Sequence, residues 1–308
     1  MVRRRKYLNL DTRGDKVFNV INIIILCIFT FIMFYPLYWT VIASFSDISE
    51  VGLGNVVFWP QGFSTEAYRQ ILNHDAIWTG YRNSIVYTTL TVIYSMILML
   101  PIAYTLSKRK LPGRTGITFY FVFTMYFSGG MIPHFILVSN TLGLHDTMWA
   151  LILGGLAVFQ MVVTRTFFMS AIPEELYESA EMDGASHIRC FFKIALPLAK
   201  PVIAVMALQF AVFSWNSFFP ALMFINRAEL QPLQLVIRRI VILQAQIGIG
   251  VDFSTLTDEQ IMDMAVRQRL AESMRYSTIF IASAPMLILY PFIQKYFAKG
   301  MLIGSLKG

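Results

Sequence analysis

Apolar positions along the chain do not alternate with polar ones at a strand period. They gather into six long runs free of Asp, Glu, Lys and Arg. Charge-free runs of about 18 residues or more read as membrane-spanning helices. They predict spans at residues 17–44, 83–107, 117–138, 147–165, 201–226 and 277–295. At about 1.5 Å per residue each crosses a hydrocarbon layer about 30 Å thick. A charge at mid-helix costs roughly 2.5–3.5 kcal/mol on the insertion scale, so insertion selects such clean runs. The expected fold class is all-α: a polytopic membrane protein of six transmembrane helices, forming one domain over 1–308. Pro36, Pro101, Pro133, Pro220, Pro285 and Pro291 fall inside the runs. Each frees a carbonyl and permits a bend, which suits a transporter or channel better than an anchor.

Composition narrows the class further. Of 308 residues, 56% are hydrophobic and 14% charged, against about 25% charged in soluble domains. Mean hydropathy is +0.59. A soluble enzyme and a disordered chain are excluded. The net charge of +7 comes from basic loops, not from a nucleic-acid surface. With the N-terminus inside, seventeen of the 25 basic residues fall on the cytoplasmic side, so the positive-inside rule puts both termini in the cytoplasm. Arg3, Arg4 and Arg5 precede a run too long for a signal peptide, and no small-x-small cleavage site follows, so the run is expected to be a retained first span. Cys27 and Cys190 predict no disulfide, and the four scattered histidines predict no metal site.

The cytoplasmic segment 170–200 carries the most information. Pro173 suits the start of a helix, and Glu174, Glu175 and Glu178 favour its positive end. Asp183-Gly184 ends that helix, because glycine takes positive φ freely. Ser186 can cap a second helix containing Ile188, Phe191, Phe192 and Leu196. A helical elbow with glycine at its tip can enter a groove on another protein, or it can lie on the membrane as an amphipathic hairpin. Local physics leaves both open. The segment 227–276 is expected to be extracytoplasmic. Thr257-x-x-Gln260 resembles a capping box, and Met262, Val266, Leu270 and Met274 recur every four residues, which predicts an amphipathic helix over the outer mouth. Residues 244–253, with Gly248 and Gly250, are a candidate flexible tip, and simple shielding of the bundle is an equal alternative.

The run Glu178-Ser179-Ala180-x-x-Asp183-Gly184-Ala185, followed by Ile194-x-Leu196-Pro197, resembles the EAA motif of ABC importer permeases. Nine residues separate Gly184 from Ile194, and Ser179 stands where the family usually has alanine. Arg165-Thr166-Phe167-Phe168, the Trp215-Asn216 pair and the glycine-rich tail from Lys299 to Gly308 look like carbohydrate-importer permeases of the maltose-transporter type. The similarity is greatest to those that take up oligosaccharides released from plant or algal polysaccharides.

The resemblance implies a type I importer permease fold in a bacterial cell membrane. It implies a second homologous permease, a dimeric cytoplasmic ATPase docked on the elbow, and an extracytoplasmic solute-binding protein, with no nucleic acid. No G-x-x-x-x-G-K-[ST] loop is present, so ATP and Mg are expected on the ATPase chain, with no cofactor and no catalytic residue on this one. Glu178, Ala180, Asp183, Gly184 and Ala185 are implied as the ATPase contact. Glu178 would pair with a base there, and Asp183 would cap the second helix. Lys299, Gly300 and Lys307 of the tail are implied as a second contact. Gln209, Phe213, Trp215 and Asn216 are the candidate sugar path, because aromatic faces and amides suit sugars. Two rival readings remain. A permease for a non-sugar solute would share the elbow. A polytopic membrane enzyme would lack it, and the chain has no His-Glu metal motif and no Gly-x-Ser-x-Gly.

Overall fold

The computed structural model describes residues 13–245, 257, 262 and 274–288, and among them there is no β-strand. The helices are α1 (Arg13–Ser44), α2 (Ile48–Gly52), α3 (Glu66–Leu72), α4 (Asp75–Ser107), α5 (Arg114–Tyr126), α6 (Met131–Ile136), α7 (Trp149–Ile152) and α8 (Val158–Ala171). They continue with α9 (Glu174–Met182), α10 (His187–Cys190), α11 (Leu196–Leu198), α12 (Lys200–Trp215), α13 (Phe219–Phe224) and α14 (Leu233–Ala245). Residues 274–288 are also helical. Where the sequence pattern predicts one domain over 1–308, the chain divides into two compact units: residues 1–70 with 247–280, and residues 71–246 with 281–308.

The first unit is built on α1. Its 32 residues extend about 48 Å, and its apolar side chains face outward on every side from Val17 to Leu37. Such a helix is stable only in lipid or against another chain. Its C-terminal end is fastened by aromatic tips. Tyr35 Oη donates to the Val57 carbonyl at 3.2 Å, Trp39 Nε1 donates to that of Val56 at 2.8 Å, and Tyr38 Oη donates to that of Phe58. Ile42, Ala43, Val51 and Val56 form a small core beneath them, with Trp39 edge-on to Tyr276.

The second unit is organised around α4, whose 33 residues run from Asp75 to Ser107. It starts eight residues before its predicted span. Gly80 explains part of the extension: a Cβ there would lie 3.0 Å from Leu233 Cα, so glycine alone lets α14 approach. Polar residues on the next turns bind the chain entering α14. Asn83 Nδ2 donates to the carbonyls of Glu229 and Gln231, Tyr87 Oη donates to that of Leu230, and Ser84 Oγ accepts from the Leu233 amide at 2.8 Å. The opposite end of α4 packs into a core of Met99, Ala103, Tyr104, Met161, Phe168, Tyr177, Cys190 and Phe210.

Three predicted spans are broken. The third is α5 followed by α6 and the π-helical turn Leu137–Thr141, bent by 106°. Phe127-Ser128-Gly129-Gly130 forms the break, with Gly130 at φ +85°. The fourth is α7 and α8, parted at Leu153–Ala157 around Gly154 and Gly155. Arg165 does not close this helix, which continues to Ala171. Its Nε donates to the Leu106 carbonyl at 2.9 Å, which satisfies an orphan acceptor at the end of α4. The fifth is α12 and α13, interrupted at Asn216–Phe218 just before Pro220. Of the sixth, residues 277–288 are among the described residues.

Candidate functional site

The elbow forms from two helix-ending devices. Asp183 closes α9 and Gly184 follows at φ +75°. The Gly184 amide donates to the Glu181 carbonyl at 3.0 Å, and that of Ala185 donates to the Ala180 carbonyl at 2.9 Å. These are the paired bonds of a Schellman motif, so the Asp-Gly-Ala sequence is a helix C-cap in which glycine takes the left-handed position. Ser186 then caps α10, its Oγ accepting from the Arg189 amide at 3.3 Å. The capping role expected of Asp183 falls to Ser186. No atom outside its neighbours lies within 4 Å of a Cβ built on Gly184, so the tip is open. Met182 is 89% exposed beside it, and Ile188 is also exposed. The sequence pattern places Ile188 on the second helix but does not single out Met182. Ala180 and Ala185 instead pack against the core of their own unit.

A basic strip lies beside the elbow. Arg109 Nε is 3.6 Å from the Glu174 carboxylate, and Lys110 Nζ is 3.9 Å from that of Glu178. Glu178, expected to meet a base on the ATPase, meets one here in its own chain. Between these pairs Lys108 Nζ sits 3.0 Å from the ring centroid of Tyr177 and 4.8 Å from that of Tyr104. Burial pushes the Lys108 ammonium below its ordinary pKa, while the two π faces favour its charge. Burial, with Cys190 beside it, raises the Tyr177 phenol to about 12. The Tyr177 hydroxyl has no hydrogen-bond partner among the described residues. The C-terminal end of α4 and the elbow are thus locked together.

At mid-length of α4 the second unit holds a cavity of about 860 Å³. All three helix breaks border it, through Ser128–Gly130, Gly154–Gly155 and Ser217–Pro220. Irregular backbone within a membrane survives only where it lines a cavity or is packed in protein, because free amides and carbonyls need partners. Its wall is hydroxyl-rich and aromatic: Thr88, Thr91 and Ser95 from α4, Ser128, Gln160 and Ser214, with Phe210, Phe213 and Phe219.

The candidate path residues divide. Phe213 lines the cavity and is 78% exposed. Trp215 does not line it. The indole is 3% exposed, its Nε1 donates to the Ala282 carbonyl at 3.1 Å, and its ring packs on Tyr81. Asn216 turns back on its own helix, Nδ2 donating to the Val212 carbonyl at 2.9 Å. Gln209 is exposed away from the cavity. Helical positions two apart point about 200° from one another, which turns Phe213 toward the cavity and Trp215 into packing. Lys299, Gly300 and Lys307 lie outside the described residues, as do most of the capping-box helix, of which Thr257, Met262 and Met274 are described, and most of the 244–253 tip, of which residues 244 and 245 end α14. At the N-terminal end of α4 a clamp escaped the sequence reading. Asp146, at φ +58°, accepts from the amides of Asn226 and Arg227 at 2.9 Å each and from Arg227 Nε at 3.2 Å.

The family described as "Binding-protein-dependent transport system inner membrane component" matches residues 76–303. The chain belongs to this family. The permease is 38% identical to Protein LplC of Bacillus subtilis (strain 168) over 97% of both chains. It is 39% identical to the polygalacturonan/rhamnogalacturonan transport system permease protein YtcP of the same organism, over 96% of this chain and 99% of the relative. It also resembles a chain in the crystal structure of a bacterial ABC transporter involved in the import of the acidic polysaccharide alginate. That match has a TM-score of 0.79 and 32% identity, covering 94% of this chain and 99% of the other. The fold is that of a type I ABC importer permease. The permease is an inner-membrane transport subunit of a system that includes a second permease, an ATPase and a solute-binding protein.

Proposed function

We propose that this permease passes an oligosaccharide, received from an extracytoplasmic binding protein, through the cavity beside α4 into the cytoplasm. The observation that carries the reading is the meeting of three broken spans on one cavity whose wall combines hydroxyls with aromatic rings. Sugars offer hydroxyls at their edges and apolar C–H faces, and this lining answers both. The names of two relatives, which specify polygalacturonan or rhamnogalacturonan and alginate, agree with that chemistry.

The open elbow at Gly184, flanked by Met182 and Ile188, is the seat of a dimeric ATPase, which binds the ATP and Mg. Closure of that dimer swings the elbow. The Lys108 lock carries the swing into α4 and so to the cavity, which is the alternating-access arrangement of a rigid-body transporter. Both termini lie in the cytoplasm. Lys299, Gly300 and Lys307 form a second contact with the ATPase.

Reconstitution of the complete importer in proteoliposomes tests the substrate class. Labelled oligogalacturonides, presented with the binding protein, are expected to accumulate only when ATP is supplied. Accumulation of a labelled peptide in their place would transfer the permease to the non-sugar class.

A further inference from the structure

In an apolar helix a threonine hydroxyl ordinarily folds back onto the carbonyl three or four residues earlier, since lipid offers no partner. The helices here follow that habit at several positions. Thr89 Oγ1 donates to the Ile85 carbonyl at 2.8 Å, Thr30 Oγ1 to that of Leu26 at 2.7 Å, and Thr118 Oγ1 to that of Arg114 at 2.8 Å. Thr88 and Thr91 break it. Both hydroxyl oxygens are buried, and neither has a hydrogen-bond partner among the described residues. Both side chains line the 860 Å³ cavity. Their neighbour Thr89 satisfies itself, so the local helix geometry does not forbid the bond.

Spacing makes the two a set. Thr88, Thr91 and Ser95 stand three and four residues apart, which places them on one helix face over about 10 Å of axis. A helix permits threonine more than one χ1 rotamer, so each oxygen can turn toward the cavity when a partner arrives. The exposed ring of Phe213 lies on the wall of the same cavity.

We propose that Thr88, Thr91 and Ser95 of α4 form a hydroxyl rail that hydrogen-bonds the hydroxyl groups of a carbohydrate in transit, with the Phe213 ring supplying the apolar face. The proposal rests on the carbohydrate reading above. It moves the centre of substrate contact from the fifth span, where the sequence pattern placed it, to the second. It also assigns each residue a chemical part: the rail takes the polar edge of the sugar ring and Phe213 its C–H face.

The test uses the complete importer in membrane vesicles, with labelled oligogalacturonides and a labelled neutral oligosaccharide as probes. Thr88→Val and Thr91→Val keep the shape and remove only the hydroxyl. Together they are expected to slow uptake about tenfold, the cost of roughly one to two net hydrogen bonds. Thr88→Ser with Thr91→Ser restores the hydroxyls and is expected to restore most of the rate, which a packing role for the β-branched shape would not do. A single cysteine at position 95 is expected to react with a hydrophilic thiol reagent and to be protected by the transported sugar. Wild-type uptake by the double valine variant overturns the rail and leaves the carbohydrate reading intact. A wild-type importer that moves neither probe removes that reading, and the rail with it.

Discussion

Gly184 separates what the backbone requires from what a docked partner would require. Its φ of +75° costs a side-chain-bearing residue about 1–2 kcal/mol, yet the space around it is open. Gly184→Ala is therefore expected to weaken the elbow modestly. Gly184→Glu is expected to abolish association with the ATPase while the chain remains inserted, as read by pull-down from membranes. Normal association of the glutamate variant would detach the tip from docking. Tyr177 separates ring from hydroxyl. The ring covers Lys108, and the hydroxyl is buried without a partner among the described residues. Tyr177→Phe keeps the cation–π contact and removes an unpaired group, so the purified complex is expected to melt at the same temperature or higher. Tyr177→Ala is expected to lower stability by about 3 kcal/mol or more through a core void and to free Lys108. Lower melting of the phenylalanine variant would mean the hydroxyl has a partner after all.

At the scale of elements, α1 and α4 were legible as unbroken apolar helices long enough to cross a membrane, because bilayer thickness dictates length and charge exclusion. The breaks inside the third, fourth and fifth runs were not. Ser128-Gly129-Gly130 and Gly154-Gly155 read as apolar-run residues, since glycine is common in membrane helices that continue unbroken. What breaks them is the cavity they line, a tertiary fact. Trp215 was misplaced for the opposite reason: an indole in mid-membrane needs a partner for its N–H, and the Ala282 carbonyl, not a sugar, supplies it. The elbow was legible almost residue by residue because a C-cap and an N-cap are local chemistry. The Asp146 clamp joins residues about eighty positions apart and leaves no local trace. Its amide donors, led by that of Arg227, hold the Asp146 carboxyl below the usual carboxylate range. A folded pKa so depressed adds stability that is complete above the unfolded value of about 3.9 and is lost as pH falls through the lower folded value. The clamp is thus closed at neutral pH and loosens only in stronger acid. Asp146→Asn is expected to speed hydrogen exchange at the Asn226 and Arg227 amides about tenfold at pH 7, a local opening without global unfolding. Unchanged exchange would show that the backbone turn holds without the charge.

On the proposed function, an event at one end of α4 is coupled to a sugar near its middle, and the second unit is arranged along that helix. At its C-terminal end Arg109 and Lys110 face the elbow glutamates, and Arg165 caps the Leu106 carbonyl. At its N-terminal end Asn83, Ser84 and Tyr87 bind the chain that leaves the Asp146 clamp and enters α14. Basic residues gather at the elbow end, so the positive-inside rule predicts that this end is cytoplasmic and the clamp end extracytoplasmic. The ends are separated by about 33 residues of helix, or about 50 Å, more than the hydrocarbon thickness. Single cysteines at positions 110 and 229, in a chain lacking Cys27 and Cys190, test the assignment. In intact cells an impermeant maleimide is expected to label position 229 and spare position 110, and inside-out vesicles are expected to reverse the pattern. Labelling of position 110 from outside would invert the permease. The open elbow would then face away from any cytoplasmic ATPase, and the coupling route from Gly184 through Lys108 to the cavity would lose its source of energy.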